Sequence, residues 1–499
     1  MVSRHLSIMN PVLGRTDWRC DVFGRYLIPA KSQGDQPITR LLLLPLLILA
    51  GIAVQPTGAG AQGPTVLTGS LAGARYEIAI PHPWNGTLFL YAHGYVPPGR
   101  PNPATAVPFP ALRSWLLDHG YAAAGSSYGR TGWAVEQGLH DQIALLDYFT
   151  RRFGKPRRTI AWGGSEGGII SAGLVQRYPN RIAGAIPIAG PLEGGVAAWN
   201  AVLDLGFAFK TLLAPQSQVQ LVHIANPATN LQLAYGLLTK AEKTAIGRAR
   251  LALAAALYDV PGWYDAAKPE PGSGSFRARL SAQEQWLQNF VFPFAFSFRA
   301  ELEQRAGGNP SWNTGVNYAK QLARSANRVE VAALYRSARL DLAKDLQTLA
   351  RKPRLSADPK SVQYLSRNIV FNGRVSIPVL TVHTTADGLV PVEAEQAYGS
   401  VVSAAGKHAL LRQLYVRRAG HGNITSAEGI VAFQVMMRRL DTGGWPATNA
   451  ASLNRQATAL GPALNVAENW PGSPRTAPAF TSFKPPVFLR PYDARTGSR

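Results

Sequence analysis

The chain has 499 residues and a formal net charge of +22 at pH 7, with 46% hydrophobic and 16% charged residues. This length allows one large domain with an insertion, or two domains, and the apolar content is typical of a globular protein. The basic residues are scattered and form no dense run with interleaved aromatic residues, so nucleic-acid binding is disfavoured and the charge is interpreted as a solubility property.

Residues 1–61 are predicted to be a secretory signal. Their apolar run, residues 41–54, contains Pro45 and is shorter than the about 20 residues that cross a bilayer. An A-x-A pattern ends at Ala61, where we predict cleavage. We therefore expect a secreted or periplasmic protein without a stable membrane anchor; an uncleaved anchor is the alternative. The one cysteine, Cys20, lies in this segment, so the mature protein is expected to lack disulfides and thiol chemistry.

Residues 62–190 alternate between strand and helix patterns. Strands are predicted over 76–80, 88–92, 121–126, 159–162 and 183–189, and helices over 111–117, 133–153 and 169–178. Such alternation predicts right-handed crossovers and a mostly parallel sheet covered on both faces, which is an α/β fold. It resumes in residues 372–442, with strands over 377–382 and 411–416 and helices over 392–402 and 427–439.

Residues 191–371 are predicted to be a helical insertion, with helices over 197–213, 241–257, 282–304 and 318–349. Five phenylalanines crowd around Pro293: Phe290, Phe292, Phe294, Phe296 and Phe298. Most of these rings are expected to pack within the insertion, but helical spacing places every second one on a shared face that is suited to line an apolar pocket. After residue 443 the periodicity ends, so residues 443–499 are predicted to be an extended or partly disordered tail.

A G-x-S-x-G motif lies between a predicted strand and a predicted helix, in the stretch Gly163-Gly164-Ser165-Glu166-Gly167-Gly168. Such a turn exposes the serine hydroxyl, and its glycines relieve the crowding of the backbone. The helix N-terminus behind the serine directs N–H groups at developing negative charge. A glycine-rich connector is the alternative, and no G-K-[ST] follows that would indicate a phosphate-binding loop. Ser165 is therefore the predicted nucleophile.

A serine nucleophile needs a base and an orienting carboxylate. Asp387 and His421 each follow a predicted strand, at the edge where parallel sheets gather their ligands. The chain order Ser, Asp, His is the one expected behind a G-x-S-x-G turn. Glu193, which also follows a strand, is an alternative acid, whereas His383 lies inside a strand and is expected to be a core residue.

Backbone N–H groups are predicted to bind the oxygen that becomes negative during the reaction. One is the N–H of Glu166, which follows the nucleophile. The other is the N–H of Tyr95, in a loop after a strand where Gly94 permits close approach of the backbone and His93 is structural. Four aromatic residues are candidates for binding the substrate, with packing as the alternative for each: Tyr128, Trp133, Trp199 and Phe294.

The sequence resembles the α/β-hydrolase superfamily, and in particular its secreted bacterial serine esterases and lipases, in His93-Gly94, the Ser165 turn, Asp387 and His421. The resemblance covers residues 66–190 and 372–442. Residues 191–371 occupy the position of a helical lid, and residues 443–499 lie outside the resemblance. It implies an eight-stranded, mostly parallel sheet and acyl transfer to water through an acyl-serine intermediate, with no metal or organic cofactor. It indicates the mechanism better than the substrate.

The sequence thus predicts a secreted serine hydrolase of carboxylic esters, in which His421 deprotonates Ser165 and Asp387 holds the imidazole. The aromatic insertion favours an apolar or aromatic ester, small or polymeric, over a sugar or phosphate. One alternative is a serine peptidase or amidase with the same machinery. Another is a non-catalytic basic protein that binds an anionic polymer, and the intact set of three residues speaks against it.

Overall fold

The structure is a computed structural model that describes residues 63–469 and 474–493 of the chain. The predicted signal, residues 1–61, and its Cys20 lie outside the described residues. Within the described part, nine strands form one sheet, with helices on both faces and a mostly helical stretch between the sixth and seventh strands.

The sheet is mostly parallel, as the alternation of strands and helices predicted. Its strands are β1 (Thr65–Leu71), β2 (Ala74–Ile80), β3 (Thr87–Ala92), β4 (Ala122–Ser126), β5 (Arg158–Gly164), β6 (Gly184–Ile188), β7 (Val379–Ala386), β8 (Leu411–Ala419) and β9 (Phe480–Thr481). Their order is β1-β2-β4-β3-β5-β6-β7-β8-β9. Strands β3 to β8 are parallel to one another, while β1, β2 and β9 pair antiparallel. The described sheet thus has one strand more than the eight expected.

The helices in chain order are α1 (Pro110–Asp118), α2 (Val135–Phe153), α3 (Glu166–Arg177), α4 (Gly195–Leu213), α5 (Pro227–Glu242), α6 (Ala245–Ala256), α7 (Phe276–Trp286), α8 (Arg299–Ala306), α9 (Tyr318–Arg324), α10 (Arg328–Ser337), α11 (Leu342–Arg351), α12 (Pro359–Arg367), α13 (Glu393–Ala404), α14 (Ser426–Thr442) and α15 (Ala450–Ala459). Two π-helical turns, Leu287–Val291 and Phe294–Phe298, connect α7 to α8.

Successive residues of β3 enter two different cores, because side chains alternate between the faces of a strand. Leu88 and Leu90 join a core beneath α2, α3 and α13, whereas Phe89 and Tyr91 join a core beneath α1, α14 and α15. Both faces are therefore covered, which explains why the central strands read as uninterrupted apolar runs in the sequence.

Helices α4 to α12 form what we call the helical insertion, between β6 and β7. It has its own apolar core, built largely from α4 and α6 together with the aromatic residues of the π-helical turns. Helix α4 is long and apolar enough to cross a membrane by composition, but 78% of its apolar window is buried inside the protein. Its hydrophobicity is thus explained by its place at the centre of the insertion.

Two long helices predicted in the insertion are broken in the structure. The helix predicted over 241–257 divides at Thr244, whose side chain accepts a hydrogen bond from the Gly247 N–H and begins α6. The helix predicted over 318–349 divides into α9, α10 and α11, and Asp341 caps α11 through the Lys344 N–H. Side chains that cap a helix end compete with continuation of the helix before it, which apolar periodicity does not register.

The segment after residue 443, predicted to be extended, contains α15 and β9 and returns to the helical insertion. Strand β9 pairs with the edge strand β8. Further on, Phe488 is buried in the core of the insertion, and Arg490 forms a buried ion pair of 2.9 Å with Asp204 on α4. The apolar residues that anchor this segment are isolated along the sequence, so they leave no periodic pattern.

Candidate active site

Ser165 lies on a sharp turn between β5 and α3. Its backbone has a φ of 58° and a ψ of −126°, which residues other than glycine rarely adopt. The backbone is therefore strained and is held in this conformation by its surroundings. The turn passes so close to the end of β3 that a Cβ at Gly167 would lie 1.9 Å from the Ala92 carbonyl oxygen, and one at Gly163 would lie 2.2 Å from it. These glycines are therefore required by close packing of the backbone.

Asp387 directly follows β7 and is fully buried, with Oδ2 2.7 Å from Nδ1 of His421. Its Oδ1 accepts hydrogen bonds from the backbone N–H groups of Leu389 and Val390, at 2.9 and 3.0 Å. Burial alone would raise the pKa of Asp387, but the charges and hydrogen bonds of His421 and His383 outweigh it and hold that pKa at about 2. Asp387 is thus ionised at neutral pH and orients His421.

The loop that carries His421 is fixed by buried polar contacts. Arg418, at the end of β8, pairs with Glu428 at 2.8 Å and donates a hydrogen bond to the Asn423 carbonyl oxygen. Glu428 in turn completes a capping box with Thr425 at the start of α14. The Gly420 N–H donates to the Ala386 carbonyl oxygen at 3.0 Å. These contacts hold the loops after β7 and β8 together.

The three predicted catalytic residues meet at one edge of the sheet. Ser165, Asp387 and His421 follow β5, β7 and β8, whose carboxyl ends share that edge. The Ser165 N–H donates to the Ile188 carbonyl oxygen at 2.9 Å, and a Cβ built on Gly422 would lie 3.7 Å from the Cβ of Ala189. The serine turn and the histidine loop therefore flank the same end of β6.

His383 is buried, as expected of a core residue, but it also joins the carboxylates around the site. Its Nδ1 lies 3.2 Å from Oε1 of Glu395, and its Nε2 lies 3.0 Å from the Val390 carbonyl oxygen and 3.5 Å from Oδ2 of Asp387. Burial lowers the pKa of His383, but hydrogen bonds and charges from Asp387 and Glu395 outweigh this and raise it to about 10. His383 is a buried cation between two carboxylates. In the sequence, only its position four residues before Asp387 indicated that His383 could contact the catalytic acid.

The loop after β3 places Tyr95 next to the nucleophile. Tyr95, Ser165 and Glu166 all border one cavity. Glu166 begins α3, so its backbone N–H is one of the first in the helix, which intrahelical carbonyls leave unsatisfied. The His93 ring is buried between the carbonyl oxygens of Gly94 and Ser127, at 2.7 and 3.0 Å. His93 thus fixes the shape of this loop.

The cavity beside Ser165 is narrow, with a volume of about 50 Å³, and has mostly apolar walls. Three of the four predicted substrate-binding residues line it: Trp133, Trp199 and Phe294. Trp133 packs edge-on against Trp199 with ring centroids 5.6 Å apart, and Phe294 lies 5.0 Å from the Tyr95 ring. Leu389 and Val390, which follow Asp387 closely in the chain, also line the cavity.

Tyr128 does not line this cavity. Its ring stacks on His93 with centroids 4.0 Å apart, and its hydroxyl donates a hydrogen bond to the His93 carbonyl oxygen at 3.1 Å. The backbone of Tyr128 has a φ of 57°, which turns the side chain back against the loop after β3. Glu193, in contrast, borders the cavity, but the carboxylate that accepts the hydrogen bond from His421 is that of Asp387.

The strand order, the strained serine turn after β5, the acid after β7 and the histidine after β8 together decide the fold. The chain has the α/β-hydrolase fold. No family model matches this chain. It is 28% identical over 416 residues to an o-phthalyl amidase from Xanthobacter agilis, a match that covers 78% of this chain and 89% of that protein.

Among solved structures, the chain is similar to an esterase from Aspergillus oryzae, with 14% identity, a TM-score of 0.39 and coverage of 77% of this chain and 80% of that chain. It is also similar to an acylaminoacyl peptidase from Pyrococcus horikoshii, with 10% identity, a TM-score of 0.35 and coverage of 76% and 41%. These similarities are weak, and the assignment of the fold rests on the strand order and the site.

Proposed function

We propose that this α/β-hydrolase is a serine hydrolase that cleaves carboxylic esters of apolar or aromatic acids. The observation that carries the proposal is the 2.7 Å hydrogen bond between His421 and Asp387, at the sheet edge where the strained Ser165 turn borders an aromatic cavity. Ionised Asp387 favours the tautomer of His421 that is protonated at Nδ1, so Nε2 carries the lone pair that accepts the serine proton.

In the first half of the reaction, Oγ of Ser165 attacks the acyl carbon while its proton passes to Nε2 of His421. The carbonyl oxygen becomes an oxyanion, to which the backbone N–H groups of Tyr95 and Glu166 donate. Collapse of this intermediate breaks the bond to the alcohol, which leaves with the proton from His421. Water then attacks the acyl-serine in the same way, and the carboxylic acid leaves as Ser165 regains its proton.

An o-phthalyl amide is a second candidate substrate, because the sequence is similar to that of an o-phthalyl amidase. The same residues serve for both bonds, but an amide needs its leaving nitrogen to be protonated by His421 as the bond breaks. Esters and amides of the same aromatic acid therefore compare the two candidates directly, since only the leaving group differs between them.

The decisive experiment measures hydrolysis of the 4-nitrophenyl ester and the 4-nitroanilide of benzoic and phthalic acids by wild type and Ser165→Ala. We expect Ser165→Ala to lower kcat by at least about 10⁴-fold, because the triad acts as a unit. Ser171→Ala is the matched control, since the Ser171 hydroxyl only donates to the Gly168 carbonyl oxygen within α3. Equal activity of wild type and Ser165→Ala would refute the proposed nucleophile.

A further inference from the structure

Two acidic residues line the cavity, Glu166 and Glu193. The proposed reaction uses the backbone N–H of Glu166, but it gives Glu193 no role. Glu193 lies between β6 and α4 with 8% of its surface exposed. It borders the cavity that Ser165 also borders. Within the part of the chain that the structure describes, its Oε2 is buried without a hydrogen-bond partner. A buried polar atom of this kind is costly unless a ligand satisfies it.

The surroundings of Glu193 disfavour its negative charge. The carboxylates of Asp387, Glu395 and Glu393 and the hydroxyl of Tyr258 interact with it, and so does the cation His383. The Tyr258 hydroxyl donates to the Leu389 carbonyl oxygen at 2.7 Å. The proton of that hydroxyl is therefore already used.

Burial is the main cause that raises the pKa of Glu193, and Glu395 and Asp387 add to it. The backbone N–H of Glu193 and the charge of His383 act in the opposite direction, and the resulting pKa is about 8. At neutral pH, Glu193 is thus a carboxylic acid with a proton to donate, in a cavity whose other walls are mostly apolar.

We propose that Glu193 is a specificity-determining residue that donates a hydrogen bond from its carboxylic acid to an oxygen substituent on the aromatic group of the substrate. The proposal rests on the proposed function, because it takes the cavity beside Ser165 as the substrate site. An unsubstituted phenyl group leaves the Glu193 hydroxyl unpaired in the complex, whereas an acetyl oxygen accepts its hydrogen bond. Sites built in this way discriminate strongly against analogues that lack the polar group.

The pH dependence follows from the chemistry of the donor. Below about pH 8 Glu193 carries the proton and donates; above it the carboxylate has no proton to donate and repels an acceptor oxygen. For a substrate with the oxygen substituent, kcat/KM should therefore fall as the pH rises through about 8. For the unsubstituted ester this fall should be absent, because that complex uses no proton of Glu193.

The test compares 4-nitrophenyl benzoate with its 2-, 3- and 4-acetyl derivatives, for wild type, Glu193→Gln and Glu193→Leu. We expect wild type to favour at least one acetyl derivative by roughly tenfold or more in kcat/KM. Glu193→Gln retains an N–H donor, so it should keep the preference and lose the fall above pH 8. Glu193→Leu should lose the preference and still hydrolyse the benzoate.

Three results would overturn the proposal while the proposed function stands: no preference in wild type, a preference that survives in Glu193→Leu, or an unchanged fall above pH 8 in Glu193→Gln. If Glu193→Leu fails to fold, as judged by its thermal unfolding, the pH profile of Glu193→Gln decides. If wild type hydrolyses none of the esters, the proposed function fails, and the role of Glu193 fails with it.

Discussion

Two sides of the cavity are built from different interactions. On the side of β7 and β8, Asp387 is held by His421 and by two backbone N–H groups, next to the buried cation His383. On the side of the helical insertion, the wall consists of rings such as Trp199 and Phe294 that meet through their faces and edges. Hydrogen bonds impose a single geometry, whereas packed rings tolerate exchange for residues of similar volume. We infer that the first side determines the rate, and that the second, together with Glu193, determines the choice of substrate.

The largest expected effect is on the polar side, for Asp387→Asn. The amide oxygen of the asparagine would accept from the Leu389 and Val390 N–H groups, so its NH2 group would face Nδ1 of His421. That donor favours the wrong tautomer of His421 and supplies no charge to stabilise the imidazolium, so kcat should fall by about 10⁴-fold. The measurement is kcat on the best ester. Asp147→Asn is the control, since Asp147 is half-exposed and pairs only with Arg181 at the surface. A fall confined to KM would contradict the division between the two sides.

The next largest effect is expected for Arg490→Met, which should change the stability of the helical insertion without changing kcat. In Arg490→Met, Asp204 on α4 loses its buried cation, so we expect unfolding to be easier by about 3 kcal/mol with kcat nearly unchanged. Burial already raises the pKa of Asp204 to about 6 although Arg490 lowers it. The loss should therefore be larger at pH 8, where wild type has an ionised pair, than at pH 5, where Asp204 is protonated in both proteins.

Denaturant unfolding at the two pH values checks this expectation. Arg417→Met is the matched control, because the side chain of Arg417 is 66% exposed and its pair with Glu270 is a surface pair that contributes at most about 1 kcal/mol. Equal losses for the two variants would show that the contact between the end of the described chain and the insertion carries no special stability.

The smallest effect is expected for a substitution in the aromatic wall of the cavity. Phe294→Leu should change kcat/KM by only about three- to tenfold, and in opposite directions for aromatic and short aliphatic esters, because leucine fills less of the cavity wall. Phe292→Leu is the control, since Phe292 is buried in the core of the insertion and does not border the cavity. Phe292→Leu should lower the stability and leave the ranking of the esters unchanged. If both variants change the ranking in the same way, the effect of Phe294 is not specific to the cavity wall.

The sequence was informative where local geometry determines the structure. The alternation of elements predicted the parallel sheet, and chain position relative to strands brought Ser165, Asp387 and His421 to one edge. The role of His383 was missed because it depends on Glu395, which reaches it from α13. Tyr128 was a candidate for the pocket because of its ring, but that ring stacks on His93 and its hydroxyl donates to the His93 carbonyl oxygen.

Elements without an apolar period were also missed. β1 has mostly exposed residues, so its place in the sheet comes from pairing with β2 and not from burial. β9 has only two residues and depends on β8 for its existence. Strand pairing of this kind depends on the assembled sheet, so a short window of sequence carries little information about it.

The ion pair between Asp204 and Arg490 also sets an order of events during synthesis. The ribosome completes α4 long before it adds Arg490, so Asp204 exists for a time without the partner of its ion pair. Closing so distant a contact costs chain entropy, and until it closes the apolar core of the insertion lacks Phe488. The described residues after β9 are therefore the last to complete the helical insertion. We expect a chain truncated before them to depend more on chaperones during folding.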